Sequence, residues 1–252
     1  MSFDHLANRA FPINTASMTY SILVRDRETG ALGAAVASKF FAVGAMCIHV
    51  EGRVGALATQ ALVNPMYAVR AMPRLRAGEA PDTIMADLVL PDPGRLQRQF
   101  HIIDAQGRIA QHTGPDCVTW AGHVNGQDVS VAGNMLVGPD VVARTRDAFL
   151  SSSGDLALRL ITAMEAGEAA GGDKRGRQSA GIKICTEDPY PDLDIRADDH
   201  ADPLAELRRL HRVSLERFAV FRRHLAGARM PYGELDRSVI DADIALHGRP
   251  LT

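Results

Sequence analysis

Residues 19–38, TYSILVRDRETGALGAAVAS, decide the fold. A β-favouring run, TYSILVR, leads into Asp26-Arg27-Glu28-Thr29-Gly30 and then into ALGAAVAS, the pattern of a hairpin whose loop is closed by a glycine. Alanine and glycine are poor strand formers. A strand written mostly in them over residues 31–38 is therefore one pressed so closely against helices that large side chains would not fit.

Working outward, two further strands are expected near residues 45–50 and 53–59. The period then changes from two to nearly four. Asn64 before Pro65 is a favoured helix start, and a helix over 65–77 ends at Gly78. A second helix opens at Pro81-Asp82, places Ile84, Met85, Leu88 and Val89 at helical spacing, and is stopped by Pro91 and Pro93. Strands over 100–104 and 108–113 flank the turn Ala105-Gln106-Gly107, and another strand covers 129–135. Helices over 139–150 and 155–166 and a strand over 178–185 complete the set. The order ββββ-αα-βββ-αα-β lacks the strict alternation of a parallel doubly wound sheet. It predicts an α+β domain, a four-layer αββα sandwich, with a C-terminal helical extension.

Three segments follow: an N-terminal extension over 1–18, the sandwich over 19–186, and a tail over 187–252. The tail starts acidic and proline-bearing, TEDPYPDLDIRADDHADP, and is expected to run as extended surface chain. Leu204, Leu207, Leu210, Phe218, Phe221 and Leu225 then mark one face of a helix of about six turns. That stripe must be buried on the main domain or on another subunit, and a homodimer is expected.

The composition is that of an ordinary soluble chain: 252 residues, 46% apolar and 23% charged, with a net charge of −2. A near-neutral balance leaves no electrostatic footprint for nucleic acid. Charges or glycines interrupt every apolar run short of the roughly 18 residues a membrane span needs. Residues 1–18 lack the basic start and apolar core of a signal peptide. Cys47, Cys117 and Cys185 are odd in number and form no CxxC, so neither a disulfide framework nor a cysteine zinc site is expected, and a cytoplasmic setting is the simplest reading. No cofactor and no metal are expected. VAGNMLVG lacks the Lys-Ser/Thr ending of a phosphate loop, though its glycines let backbone approach closely and Asn134 is a candidate substrate contact. His112 and His123 are eleven residues apart, which is no helical metal spacing. Asp194, Asp198, Asp199 and His200 offer donors to a cation, but such clusters are ordinarily just solvated.

MTYSILVRDRETGALGAAVASKFFAVGA, ATQALVNP, DPGRLQRQ, HTGPDCVTWAGH, VAGNMLVG and AGGDKRGRQSAG, in this order, resemble the bacterial family catalogued as domain of unknown function 1028. That family is regarded as similar to the N-terminal-nucleophile (Ntn) hydrolases. In such enzymes the first residue attacks with its side chain while its own α-amine takes the proton. The resemblance implies Thr19 as the nucleophile of an amidohydrolase that cleaves a C–N bond in a small molecule or peptide. It requires Thr19 to be the first residue of the mature chain, since an amide nitrogen is no base. Lys39, at the end of the second strand, is the candidate cation beside the nucleophile. Thr59, Gln60 and Asn64 straddle a strand-to-helix turn whose free N–H groups suit an oxyanion hole, although Asn64 equally suits a helix cap. Asp173, Arg175 and Ser179 lie where proteasome-like enzymes supply an aspartate and a serine. Two other readings remain open: a nucleophile elsewhere, such as Ser38 or Cys117, and a non-catalytic binding or scaffold protein that keeps the fold.

Overall fold

The structure, a computed structural model, describes residues 19–172 and 176–249. It is a mixed helix and sheet protein with two sheets, antiparallel throughout. The opening hairpin forms as expected. Strands β1 (Thr19–Arg25) and β2 (Leu32–Ser38) pair from Thr19↔Ser38 to Arg25↔Leu32. Asp26 closes the loop by accepting the N–H groups of Glu28 and Thr29, and Gly30 takes a φ of +74° that a side chain would resist.

A short helix, α1 (Val43–Met46), occupies the place where a third strand was expected to begin. Gly44 lies on Gly181 so closely that a Cβ on it would stand 3.0 Å from the Gly181 Cα. The turn is closed by the Cys47 N–H donating to the Val43 carbonyl, and the strand starts only afterwards. β3 (Ile48–Glu51) and β4 (Gly55–Ala61) follow, then helices α2 (Met66–Arg76) and α3 (Pro81–Val89), close to the expected bounds. β5 (Arg98–Asp104) and β6 (Ile109–Thr113) form the second hairpin, and β7 (Gly122–Gly126), which the sequence reading did not anticipate, pairs with β8 (Val129–Asn134). Helices α4 (Asp140–Ser151) and α5 (Leu156–Ala169) precede β9 (Ser179–Cys185), and the Asp155 carboxylate caps α5 by accepting from the Leu158 N–H.

The tail departs most from expectation. Within its acidic stretch, β10 (Leu193–Ala197) hydrogen-bonds to β9 and extends the sheet, so this segment is an edge strand and not free surface chain. The long helix is broken into α6 (Pro203–Glu216) and α7 (Phe218–Phe221) at Arg217, whose backbone is non-helical (φ −142°, ψ −47°). α8 (Arg237–His247) ends the described chain. Leu204 and Leu207 are buried against the main domain, whereas Phe218 remains 42% exposed.

The six-stranded sheet runs β10-β9-β2-β1-β8-β7 and the four-stranded sheet β3-β4-β5-β6. Three apolar clusters fix how they stack. Tyr20, Ile22 and Val24 face α4 and α5; Leu23, Leu32, Ala34 and Val36 meet Ala56, Ala58 and Ile103 of the second sheet; Leu57, Phe100 and Ile102 face α2 and α3. The alternation along β1 thus sends its even-numbered residues to helices and its odd-numbered ones to the other sheet. Among the described residues no helix is long and apolar enough to cross a membrane.

Candidate active site

Because odd-numbered residues of β1 face the second sheet, Thr19 and Ser21 do so as well. Thr19 stands opposite Ser38 on one side and Asn134 on the other, and Ser38 stands opposite Ser179. Four neighbouring strands therefore end in one buried polar row, Asn134–Thr19–Ser38–Ser179. The hydroxyls of Thr19 and Ser38 are 3.1 Å apart. Asn134 reaches the Thr19 carbonyl at 3.5 Å and donates to Gln99 Oε1 at 3.1 Å. Ser179 accepts from the Val43 N–H at 3.0 Å and donates to the Phe40 carbonyl, which pins the turn that carries Lys39. Lys39 itself is exposed, and its ammonium donates to the Arg177 carbonyl at 3.3 Å. The row joins Thr19, Asn134 and Ser179 and adds Ser38 as a hydrogen-bond partner of the Thr19 hydroxyl.

Behind the row lies a buried hydrogen-bond chain with one consistent direction. Ser21 gives its only proton to Gln60 Oε1 at 2.7 Å, so its bond to His101 Nε2 at 2.9 Å must be donated by the imidazole. His101 Nδ1 then accepts from Ser130 at 2.7 Å, and Ser130 accepts from Gln111 at 2.9 Å. Gln60 passes the chain on to Gln99 at 2.7 Å, and Gln99 donates to Thr113 and to the Gly122 and Gly133 carbonyls. Burial pushes the His101 imidazole down to about 3, so it is neutral. Each ring nitrogen is already committed, and a second proton on Nδ1 would face a donor. These groups hold the two sheets in register beneath Thr19. The sequence reading singled out Gln60 but missed Ser21, Gln99, His101 and Ser130.

Other expected residues are not brought to Thr19. Thr59 points to the helix side of its strand, where its hydroxyl accepts from the Asn64 N–H at 3.1 Å. Asn64 accepts from the Met66 N–H and donates to Asp92, so it caps the start of α2, and neither residue adds to an oxyanion hole beside Thr19. Asp173 and Arg175 lie outside the described residues. Cys117 is a poor nucleophile: burial raises its thiol, which donates to the Arg98 carbonyl. His112 bonds the Arg95 carbonyl, and His123 bonds Thr113. In the acidic tail, Asp194 pairs with Lys183, Asp198 with Arg196, and Asp199 accepts from Gln178. No group of three His, Cys, Asp or Glu side chains among the described residues is arranged to hold a metal ion. A cavity of about 500 Å³ opens at the opposite end of β1, lined by Arg25, Arg27, Asp128 and Arg159 among others. Its arginines already pair with Asp26 and Asp128.

The chain matches a family of unknown function, DUF1028, over residues 19–207 and belongs to that family. The crystal structure of a protein of the same family from Silicibacter pomeroyi is similar to it, with a TM-score of 0.81 and 29% identity over 87% of this chain and 96% of that one. Anbu, an ancestral β-subunit from Yersinia bercovieri, overlays with a TM-score of 0.35 and 10% identity over 78% of this chain and 94% of that one, a likeness too loose to bear on fold or activity. No curated protein matches the sequence.

Proposed function

We propose that this protein is an Ntn-type amidohydrolase in which Thr19, as first residue, cleaves a C–N amide bond of a small molecule or peptide. The observation that carries the reading is the placement of Thr19: its hydroxyl opens a central strand and lies 3.1 Å from that of Ser38, in a buried polar row shared by four strands. Support also comes from the two sheets, which meet face to face and pack against helices on their outer faces, since the family resemblance implies an αββα sandwich for such enzymes.

The chemistry follows from what that position offers. The Thr19 oxygen attacks the amide carbonyl carbon while the Thr19 α-amine takes its proton. A model α-amine has a pKa near 8, so a fraction is neutral at pH 7. The same proton passes to the leaving nitrogen as the C–N bond breaks, leaving an ester on Thr19. Water then adds to that ester, giving a proton to the amine, which passes it to the Thr19 oxygen as the C–O bond breaks and the acid is released. Ser38 orients the Thr19 hydroxyl, and Lys39 places a positive charge at the rim. With Met18 still attached the α-nitrogen is an amide, and the site holds a nucleophile without its base.

The test compares two proteins, one with the full sequence and one whose first residue is Thr19, against a library of simple amides. Turnover is expected only for the second, and Thr19→Ala should reduce it on the order of 10³-fold or more. Full activity in Thr19→Ala sinks the assignment.

A further inference from the structure

Thr19 is 4% exposed, with protein packed on several sides of it. Strands β2 and β8 flank it, and the second sheet lies across from it. Helices α4 and α5 cover the back of its sheet, where the Tyr20 hydroxyl donates to the Met164 carbonyl at 2.9 Å. A substrate must therefore come along the strand axis, from the end of the two sheets.

That end is rimmed by apolar side chains in contact with water. Phe40 and Phe41 follow β2, Leu62 follows β4, Leu96 precedes β5, Val118 lies between β6 and β7, and Val137 follows β8; each is exposed, Phe41 by 63%. Backbone bonds tie these loops into one surface. The Leu62 N–H donates to the Gln97 carbonyl, the Asp116 N–H to the Leu96 carbonyl, and the Met135 N–H to the Val118 carbonyl, at 2.8–3.1 Å. The turn holding Phe40 is fixed to Ser179 of the polar row. Apolar residues scattered singly over a surface need no explanation, but six gathered at the end of the sheets where Thr19 lies form a patch.

We infer that the substrate carries an apolar acyl chain, which lies on this rim while its carbonyl reaches Thr19. The inference rests on the hydrolase reading above and adds to it the class of acyl group.

The protein beginning at Thr19 is assayed on N-acyl-7-amino-4-methylcoumarins from acetyl to octanoyl. kcat/KM is expected to rise about fourfold per added methylene over the first few. Phe41→Ser with Val118→Ser should flatten the series, whereas Leu246→Ser, an exposed apolar position on α8, should leave it unchanged. A series that is already flat in the wild type, or steeper for charged acyl groups, overturns the inference. So does a wild-type dimer that Phe41→Ser with Val118→Ser splits, together with a flat series, because the rim then joins two copies. Should no amide be hydrolysed at all, the hydrolase reading fails by itself, and equilibrium binding of the same compounds to Thr19→Ala decides the acyl chain separately. Affinity that rises with chain length supports it; affinity independent of length overturns it.

Discussion

Replacing His101 by Gln tests the buried chain beneath Thr19 through the pH dependence of stability. In the folded protein His101 is fully buried and pushed down to about 3, because burial disfavours the charged ring. In the unfolded chain an imidazole titrates near 6.5. Below pH 6.5 the unfolded state thus binds a proton that the folded state refuses, and stability falls as pH falls, by about 1.4 kcal/mol per unit until the folded value is reached. The contribution is fully present above pH 6.5. At pH 5 the deficit amounts to about 2 kcal/mol, since the gap of 1.5 units counts almost in full. Gln can still donate to Ser21 and accept from Ser130 but takes up no proton. Burial depresses His49 and His123 as well, and both stay in the variant, so their effects cancel in the comparison. Urea unfolding at pH 7 and pH 5 should show the wild type losing about 2 kcal/mol more than His101→Gln. Equal losses would refute the claim that His101 is neutral and sealed.

Gln99→Leu removes the acceptor of Gln60 and Asn134 and the donor to Gly133, orphaning buried polar groups, and should destabilise on the order of 3 kcal/mol in denaturant unfolding. Ala35→Leu should overpack the face of β2 against α5, where a Cβ on neighbouring Gly33 would already meet Leu160 at 3.1 Å; a cost of about 1–3 kcal/mol in melting experiments is expected, and none if the face has slack. The homodimer expected from the tail helix now rests on its outward residues, since Leu204 and Leu207 are buried within the chain. Phe218→Glu should convert a dimer to a monomer in sedimentation without unfolding, and a wild type that is monomeric at micromolar concentration removes the expectation.

What the sequence disclosed and what it hid divide along the range of the forces involved. The opening hairpin, the start of α3 at Pro81 and the Asp155 cap of α5 are written in neighbouring residues, because a turn or a cap is satisfied within a few positions. The break at Arg217 had no proline or glycine to announce it, and an apolar stripe alone cannot show that a helix stops between two of its residues. In β10, Leu193 and Ile195 alternate with Asp194 and Arg196, the pattern of an edge strand with one wet face, but the surrounding acidic residues made it look like free chain.

The site shows the same division more sharply. Thr19, Ser38, Asn134 and Ser179 each drew notice separately, yet only strand register, fixed by contacts far apart in sequence, sets them in one row. A local signal for the layer beneath did exist. In RQFHIID, Gln99 and His101 alternate with Phe100 and Ile102, and the same alternation in a surface strand would mean a wet face. Here β5 is covered on both sides, so its polar residues had to find partners inside. They found Ser21, Ser130, Gln60 and Asn134 on three other strands. A polar alternation in a strand that topology forces into the middle of a sandwich therefore points to a buried network.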